Sequence, residues 1–158
     1  MECQWLLSGD KTTIEKLKKT TLEDRYSVLG FDLLIRSNSL RMLTYLRESH
    51  DFFLVKNPKM NVPDLEYYVI DDHDTNSIVV ITSKRIFRVQ SLRDMQGVID
   101  WSFLSEIEGY ITFHGGSVSI NDTATILVGP GCSGKSTLIL GLVNQGFKFL
   151  SDDYSPIN

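Results

Sequence analysis

The residues best suited to chemistry lie in one stretch, Gly129-Pro130-Gly131-Cys132-Ser133-Gly134-Lys135-Ser136. It fits the phosphate-binding pattern G-x-x-x-x-G-K-[ST] at every fixed position. In this pattern the backbone N–H groups of a glycine-rich loop surround phosphates, and the next helix adds the partial positive charge of its N-terminus. The pattern assigns the β- and γ-phosphates to Lys135 and a Mg²⁺ ligand to Ser136. We therefore expect these eight residues and the adjoining Thr137 to bind a nucleoside triphosphate with Mg²⁺.

The neighbouring segments are those that such a loop needs. The apolar, β-branched run 123–128 predicts a buried strand before the loop, and residues 135–144 predict a helix after it that ends near Gly146. A further strand, 111–120, joins the first through a hairpin-type turn at Asn121-Asp122. Strand, glycine-rich loop and helix together are the context that makes the phosphate-binding pattern specific.

Two adjacent carboxylates, Asp152 and Asp153, follow the next predicted strand, 147–150. In open α/β sheets the carboxyl end of a strand faces the ligand crevice. Carboxylates placed there can serve Mg²⁺ or accept a proton from an attacking hydroxyl group. The alternative is a solvated turn, which we would favour if the pair stood alone. His114 has two readings of equal weight: it orients an Asp or a phosphate, or it is an ordinary strand histidine.

Three motifs in residues 110–158 together resemble the catalytic core of the HPr kinase/phosphorylase family. They are His114-Gly115 before the P-loop, the P-loop itself, and Gln145-Gly146-Phe147-Lys148-Phe149-Leu150-Ser151-Asp152-Asp153 after the helix. The motifs agree with the family in order and in distance, since Asp152 lies seventeen residues past Lys135. The N-terminal part also looks more like the stand-alone kinases linked to ribosomal peptide biosynthesis than like the bifunctional enzyme.

The resemblance implies phosphorylation of a serine in a protein or a precursor peptide, using ATP and Mg²⁺. It implies a catalytic role for Asp152, Asp153 and His114, with one Asp as general base, and metal binding by Ser136 and Asp152. The chain carries Thr137 where the bifunctional enzyme has a Glu, and the kinase-only relatives also have Thr at this position. It carries Gln145 where the family has an Arg. The family core continues past the two Asp residues, so we expect this chain to hold about half of it.

Composition limits the classes of protein that remain. The chain has 158 residues, 42% of them hydrophobic, and a net charge of −4, which argues against a nucleic-acid partner. No segment approaches the roughly 18 apolar residues of a membrane helix, and the first residues do not form a signal peptide. Cys3 lies near the N-terminus and Cys132 lies in the P-loop, so we do not expect them to form a structural disulfide. The absence of a structural disulfide predicts a reducing compartment. We expect a cytoplasmic protein with no membrane or nucleic-acid partner.

The predicted fold class is α/β, with an α+β region at residues 1–109 and part of a P-loop kinase core at residues 110–158. Recognition of a peptide or partner by the first region is a hypothesis that rests on the family comparison. Its predicted helices cover 11–20, 40–49 and a segment that starts at a Ser91 cap with Asp94 and runs to about residue 108. Its predicted strands cover 26–36, 51–56, 67–70, 78–82 and 85–90.

Two alternatives to a kinase remain open. The first is a non-catalytic module that binds nucleotide or peptide and acts as an adaptor or regulator, or an inactive truncated kinase. The second, ranked lower, is a transporter-type ATPase, which requires a long helical region and a signature motif after the P-loop. An exposed sheet edge in a half-core would favour pairing with another copy, so a homo-oligomer is also considered.

Overall fold

The computed structural model describes residues 21–56, 58 and 61–158. Helices and strands are both present, which confirms the α/β prediction. The chain divides into two compact units, the first ending at Glu106 and the second beginning at Ile107. The helix predicted for 11–20 lies outside the described residues. Within the described part of the chain, no helix has the length and apolar character needed to cross a membrane.

The first unit contains a five-stranded mixed sheet in the order β1-β2-β3-β4-β5. Strands β2 and β3 are parallel, with Ile35 opposite Tyr67, and the other neighbours are antiparallel. Helix α1 lies in the connection between β2 and β3, because parallel neighbours need a long crossover. The elements are β1 (Leu22–Val28), β2 (Phe31–Ser37), α1 (Leu40–Ser49), β3 (Leu65–Asp72), β4 (Ser77–Ile81), β5 (Ile86–Val89) and α2 (Leu92–Glu106).

Both helices of this unit pack on the sheet and contact each other. Helix α1 contacts β1 and β2, and α2 contacts β4 and β5. The side chains between the layers are almost all apolar, so burial of apolar surface is the main stabilising contribution. The most completely buried are Ile35, Met42, Leu43, Leu46, Tyr67, Val69, Ile70, Val80 and Met95.

The single strand predicted for 26–36 is wrong, because these residues form parts of two antiparallel strands. The chain reverses at Leu29 and Gly30, whose φ angles are 54° and 86°. Two consecutive residues with positive φ make the tight hairpin turn that matches the twist of its strands. The sequence signal is weak because the first turn position is Leu, where Asn or Asp is usual.

The strand predicted for 51–56 is also wrong. Residues Asp51–Phe53 form a short 3₁₀ turn, and Leu54 makes only an isolated bridge to Tyr26. The helix predicted for 40–49 is confirmed. The cap predicted for the next helix is confirmed too, since the Asp94 N–H donates to Ser91 Oγ at 3.1 Å and the Ser91 hydroxyl donates to Asp94 Oδ2 at 2.7 Å.

The second unit is built around one long strand. Its elements are β6 (Ile111–Ile120), β7 (Thr123–Val128), α3 (Lys135–Asn144), β8 (Lys148–Ser151) and β9 (Tyr154–Ile157). Strand β6 lies between β7 and β8, and its first four residues pair with β9. The predicted turn at Asn121 and Asp122 is present, with φ angles of 48° and 60°. The P-loop strand and the strand before the two carboxylates therefore run parallel on either side of β6.

Helix α3 ends where Gly146 was expected to end it. Gly146 has a φ of 93°, and its N–H donates to the Val143 carbonyl at 3.0 Å. The next N–H, from Phe147, donates to the Leu142 carbonyl at 3.2 Å. This pair of bonds is the Schellman arrangement, in which a left-handed glycine lets two helix carbonyls find donors. The chain then enters β8 and carries Asp152 back toward the start of α3.

Candidate nucleotide site

The P-loop connects the end of β7 to the start of α3 by a tight turn. The Ser133 N–H donates to the Pro130 carbonyl at 3.3 Å, and Gly134 has a φ of 87° at the helix N-cap. Cys132 has a φ of 61° although it carries a side chain. A Cβ on Gly129 would lie 2.9 Å from Ser133 Oγ, so a side chain at this position would require the Ser133 hydroxyl to move.

The loop leaves backbone donors at the N-terminus of α3. The first helical bond runs from the Leu138 N–H to the Gly134 carbonyl at 2.9 Å. The preceding N–H groups have no helical acceptor, and the ten-residue helix adds its dipole at the same point. Ser136 and Thr137 lie in this first turn and are exposed. Backbone donors and dipole together favour an anion such as phosphate.

Lys135 lies against the loop that it follows. Its Nζ donates to the carbonyl oxygens of Gly129 and Pro130, each at 3.0 Å. A lysine ammonium has three N–H donors, so these two bonds leave one donor free. The positive charge is therefore held at the loop, beside the amides at the start of α3.

Ser136 and Asp152 are in direct contact although sixteen residues separate them. The Ser136 hydroxyl donates to Asp152 Oδ2 at 3.2 Å. The other carboxylate oxygen, Oδ1, is buried and has no hydrogen-bond partner among the residues that the structure describes. A buried carboxylate oxygen needs a donor or a cation, and hydroxyl and carboxylate oxygens are ligands that Mg²⁺ accepts. The pair predicted as metal ligands therefore fits Mg²⁺.

Few side chains could bind a metal ion at the contact between Ser136 and Asp152. Among the described residues no group of three or more His, Cys, Asp or Glu side chains is arranged to hold a metal ion. Two protein oxygens suit Mg²⁺ better than Ca²⁺, since Mg²⁺ usually keeps several waters and is completed by substrate phosphates. The site would therefore bind metal and nucleotide together more tightly than the metal alone.

The bend between β8 and β9 carries both carboxylates and is fastened to β6. The Gly115 N–H donates to the Asp153 carbonyl at 2.9 Å, and the Ser151 hydroxyl donates to the Tyr154 carbonyl. The Asp153 side chain is exposed. Asp152 thus lies at the P-loop, whereas Asp153 faces solvent next to it in the chain.

His114 is placed near the bend but outside bonding contact with either carboxylate. It is the cross-strand partner of Tyr154, and the two rings meet edge to face with centroids 5.5 Å apart. The exposed imidazole forms no hydrogen bond or ion pair with Asp152 or Asp153 among the described contacts. The structure therefore brings Lys135, Ser136 and Asp152 together and leaves His114 and Asp153 at the periphery.

Sequence reasoning missed the role of the second glycine in the pair Gly115-Gly116. A Cβ on Gly116 would lie 2.0 Å from Ile139 Cδ1, 3.0 Å from the Asp152 carbonyl oxygen and 3.1 Å from that of Ser151. Gly116 is thus the point where α3 and the carboxylate bend both approach β6. A glycine inside a strand often marks such a close backbone approach, and this was the available signal.

Comparisons with models of known protein families, with curated proteins and with solved structures find no match to this chain. The resemblance to HPr kinase/phosphorylase therefore rests on the three sequence motifs, and it stays a prediction.

Proposed function

We propose that the second unit binds ATP with Mg²⁺ and that the chain transfers the γ-phosphate to a serine hydroxyl of a protein or peptide. The contact between Ser136 and Asp152 carries this proposal. A P-loop hydroxyl and a carboxylate with one unpartnered buried oxygen lie where a phosphate-bound Mg²⁺ needs ligands. The amides at the start of α3 and the Lys135 ammonium supply the charge that phosphates require.

Each side chain has a defined task in this proposal. The loop amides and Lys135 hold the β- and γ-phosphates and stabilise the charge that spreads over the γ-phosphoryl oxygens in the transition state. Ser136 and Asp152 would hold Mg²⁺, which would supply positive charge to neutralise the phosphates of the bound nucleotide. Because Asp152 serves the metal, Asp153 is the better candidate for the base. It accepts the serine proton as the new P–O bond forms and the bond to the departing ADP oxygen breaks.

The test is phosphoryl transfer from γ-labelled ATP to serine-containing proteins and peptides, with Asp153→Asn as the informative variant. We expect Asp153→Asn to retain ATP affinity and to lose transfer by about 100-fold or more, the range for a positioned general base. Asp122→Asn, in the turn of the same unit, is the control and should leave transfer unchanged. Equal transfer by the parent chain and Asp153→Asn would rule out the assigned base.

A nucleotide-binding module without catalysis is the second candidate, and one observation favours it. Among the contacts of the described residues, neither His114 nor the Asp153 side chain forms a hydrogen bond that orients it toward the P-loop. A binding module predicts saturable Mg²⁺-dependent ATP affinity without γ-phosphate release or transfer by the parent chain. The same labelled ATP assay therefore separates the two candidates.

A further inference from the structure

The carboxylate bend is held by contacts that do not belong to the P-loop. The Ser151 hydroxyl donates to the Tyr154 carbonyl across the bend, which spans Asp152 and Asp153. On the other side, the Gly115 N–H donates to the Asp153 carbonyl at 2.9 Å. These two bonds fix the backbone that carries Asp152, whose own side chain reaches only Ser136 among the described contacts.

The bend also lies close against Gly116, where a side chain would make tight contacts with it. The carbonyl oxygens of Ser151 and Asp152 would be 3.1 Å and 3.0 Å from a Cβ at this position. Contacts of that length force a neighbour to move by a few tenths of an ångström, and here the neighbours are backbone atoms. A methyl group on Gly116 would thus push the bend outward, taking Asp152 with it.

We propose that Ser151 and Gly116 are positioning residues that keep Asp152 within reach of Ser136 and so determine the Mg²⁺-dependent part of nucleotide binding. This inference rests on the proposed function, because it concerns the same site. Neither residue touches nucleotide in this scheme. Ser151 and Gly116 act on the backbone of the bend and not on the Asp152 carboxylate itself, and residues that orient a metal ligand typically contribute about tenfold or more to metal affinity.

The first experiment measures the affinity of a non-hydrolysable ATP analogue by calorimetry in EDTA and across a Mg²⁺ titration. The variants are Ser151→Ala and, as control, Ser119→Ala, which removes a β6 hydroxyl that forms no hydrogen bond among the described contacts. We expect equal affinity in EDTA for all three proteins, because the P-loop is untouched. Mg²⁺ should increase the affinity of the parent and of Ser119→Ala for the analogue. The same increase in Ser151→Ala should be smaller by a factor of at least about ten.

The glycine requires a paired design, because Gly116→Ala also meets Ile139 Cδ1 at 2.0 Å. Ile139→Val removes that atom, so in the Ile139→Val background the closest given contacts of a Gly116→Ala methyl group are those with the bend. We expect Ile139→Val alone to keep the Mg²⁺-dependent gain and the double variant to lose it. Amide exchange at Gly115 reports on the bend directly and should accelerate in Ser151→Ala and in the double variant.

The outcomes separate this inference from the proposed function. A parent chain without affinity for the analogue contradicts the proposed function and overturns the inference with it. A parent chain that binds with a Mg²⁺-dependent gain, together with an undiminished gain in Ser151→Ala and in the double variant, overturns the inference alone. Unchanged Gly115 exchange in both variants also overturns it, because the bend would then not depend on either residue.

Discussion

The Ser136 hydroxyl donates a hydrogen bond of 3.2 Å to Asp152 Oδ2, joining the first turn of α3 to the bend that follows β8. This contact links two sequence motifs that are otherwise separate. It depends on β7 and β8 lying on either side of β6, so that the P-loop and the carboxylates emerge near the same end of the sheet. The arrangement is the basis of the proposed Mg²⁺ site.

The first prediction concerns the protonation of His50, which joins α1 to α2 in the first unit. Its Nε2 lies 2.8 Å from Asp100 Oδ1, and an ionised carboxylate only accepts hydrogen bonds. Its Nδ1 lies 2.9 Å from Ser49 Oγ and 3.3 Å from the Leu46 carbonyl oxygen. The Ser49 hydroxyl donates to the Tyr45 carbonyl, so toward His50 it acts as an acceptor. Both ring nitrogens therefore face acceptors, which favours the imidazolium form.

The pKa of His50 should follow from this geometry. Burial disfavours the charged ring, but the hydrogen bond and charge of Asp100, with the Leu46 carbonyl, outweigh it and raise the pKa of His50. A raised pKa of a histidine stabilises the fold fully below the unfolded pKa of about 6.5. That contribution is lost as the pH rises through the higher pKa of the folded state.

The measurement is an NMR titration of the His50 ring together with urea unfolding as a function of pH. We expect a ring pKa above the unfolded value of about 6.5, and a loss of stability as the pH rises through the ring pKa and His50 deprotonates. Asp100→Asn should lower the ring pKa and flatten this part of the pH profile. His73→Gln, at an exposed position, is the control variant and should leave the ring pKa of His50 unchanged. A His50 pKa at or below the unfolded value would contradict the prediction.

The second prediction concerns strain in the β1–β2 turn. Leu29 has a φ of 54°, a conformation in which a branched side chain is disfavoured and Asn is tolerated. We expect Leu29→Asn to raise the free energy of unfolding by about 1 kcal/mol. Gly30→Ala, at a φ of 86°, should lower it by a similar amount. Chemical unfolding of the three proteins tests this, and a destabilised Leu29→Asn would contradict it.

The third prediction compares two neighbouring apolar residues of α3. Ile139 is 1% exposed and packs on β6 at Gly116, whereas Leu140 is 66% exposed. Ile139→Ala should destabilise the second unit by about 2–5 kcal/mol, because it leaves a cavity at a packed contact. Leu140→Ala should change stability by no more than about 0.5 kcal/mol. Hydrogen exchange of the α3 amides is the measurement, and equal effects of the two substitutions would contradict the assigned packing.

Local signals in the sequence predict much of the second unit. Local residue types predict the turn at Asn121-Asp122, because Asn and Asp tolerate positive φ. Helical periodicity predicts the helix from Lys135, and a glycine C-cap predicts its end at Gly146. The Leu29-Gly30 turn carries no such signal, because Leu at a positive φ is held there by the flanking strands. Only tertiary structure reveals that turn.

The candidate site also has one part that the sequence predicts and another part that only the structure reveals. The fixed positions of the P-loop pattern predict which residues lie at the start of α3, but not the contact of Ser136 with one carboxylate oxygen of Asp152. That contact depends on strand order and on the close approach of the bend to Gly116, which are long-range properties. Spacing favoured a role for Asp152 and Asp153 and left His114 between two interpretations, whereas the geometry brings only Asp152 into contact with Ser136 among the described residues.

The most direct test of the central claim is calorimetric titration of ATP with Mg²⁺ into the parent chain, Lys135→Ala and the control Lys148→Ala. Lys148 is an exposed lysine of β8, so the control removes the same charge away from the loop. We predict saturable binding by the parent and by Lys148→Ala, and a loss of at least about tenfold in Lys135→Ala, the size of one charged hydrogen bond. Absence of binding by the parent chain, or equal binding by all three proteins, would contradict the P-loop assignment.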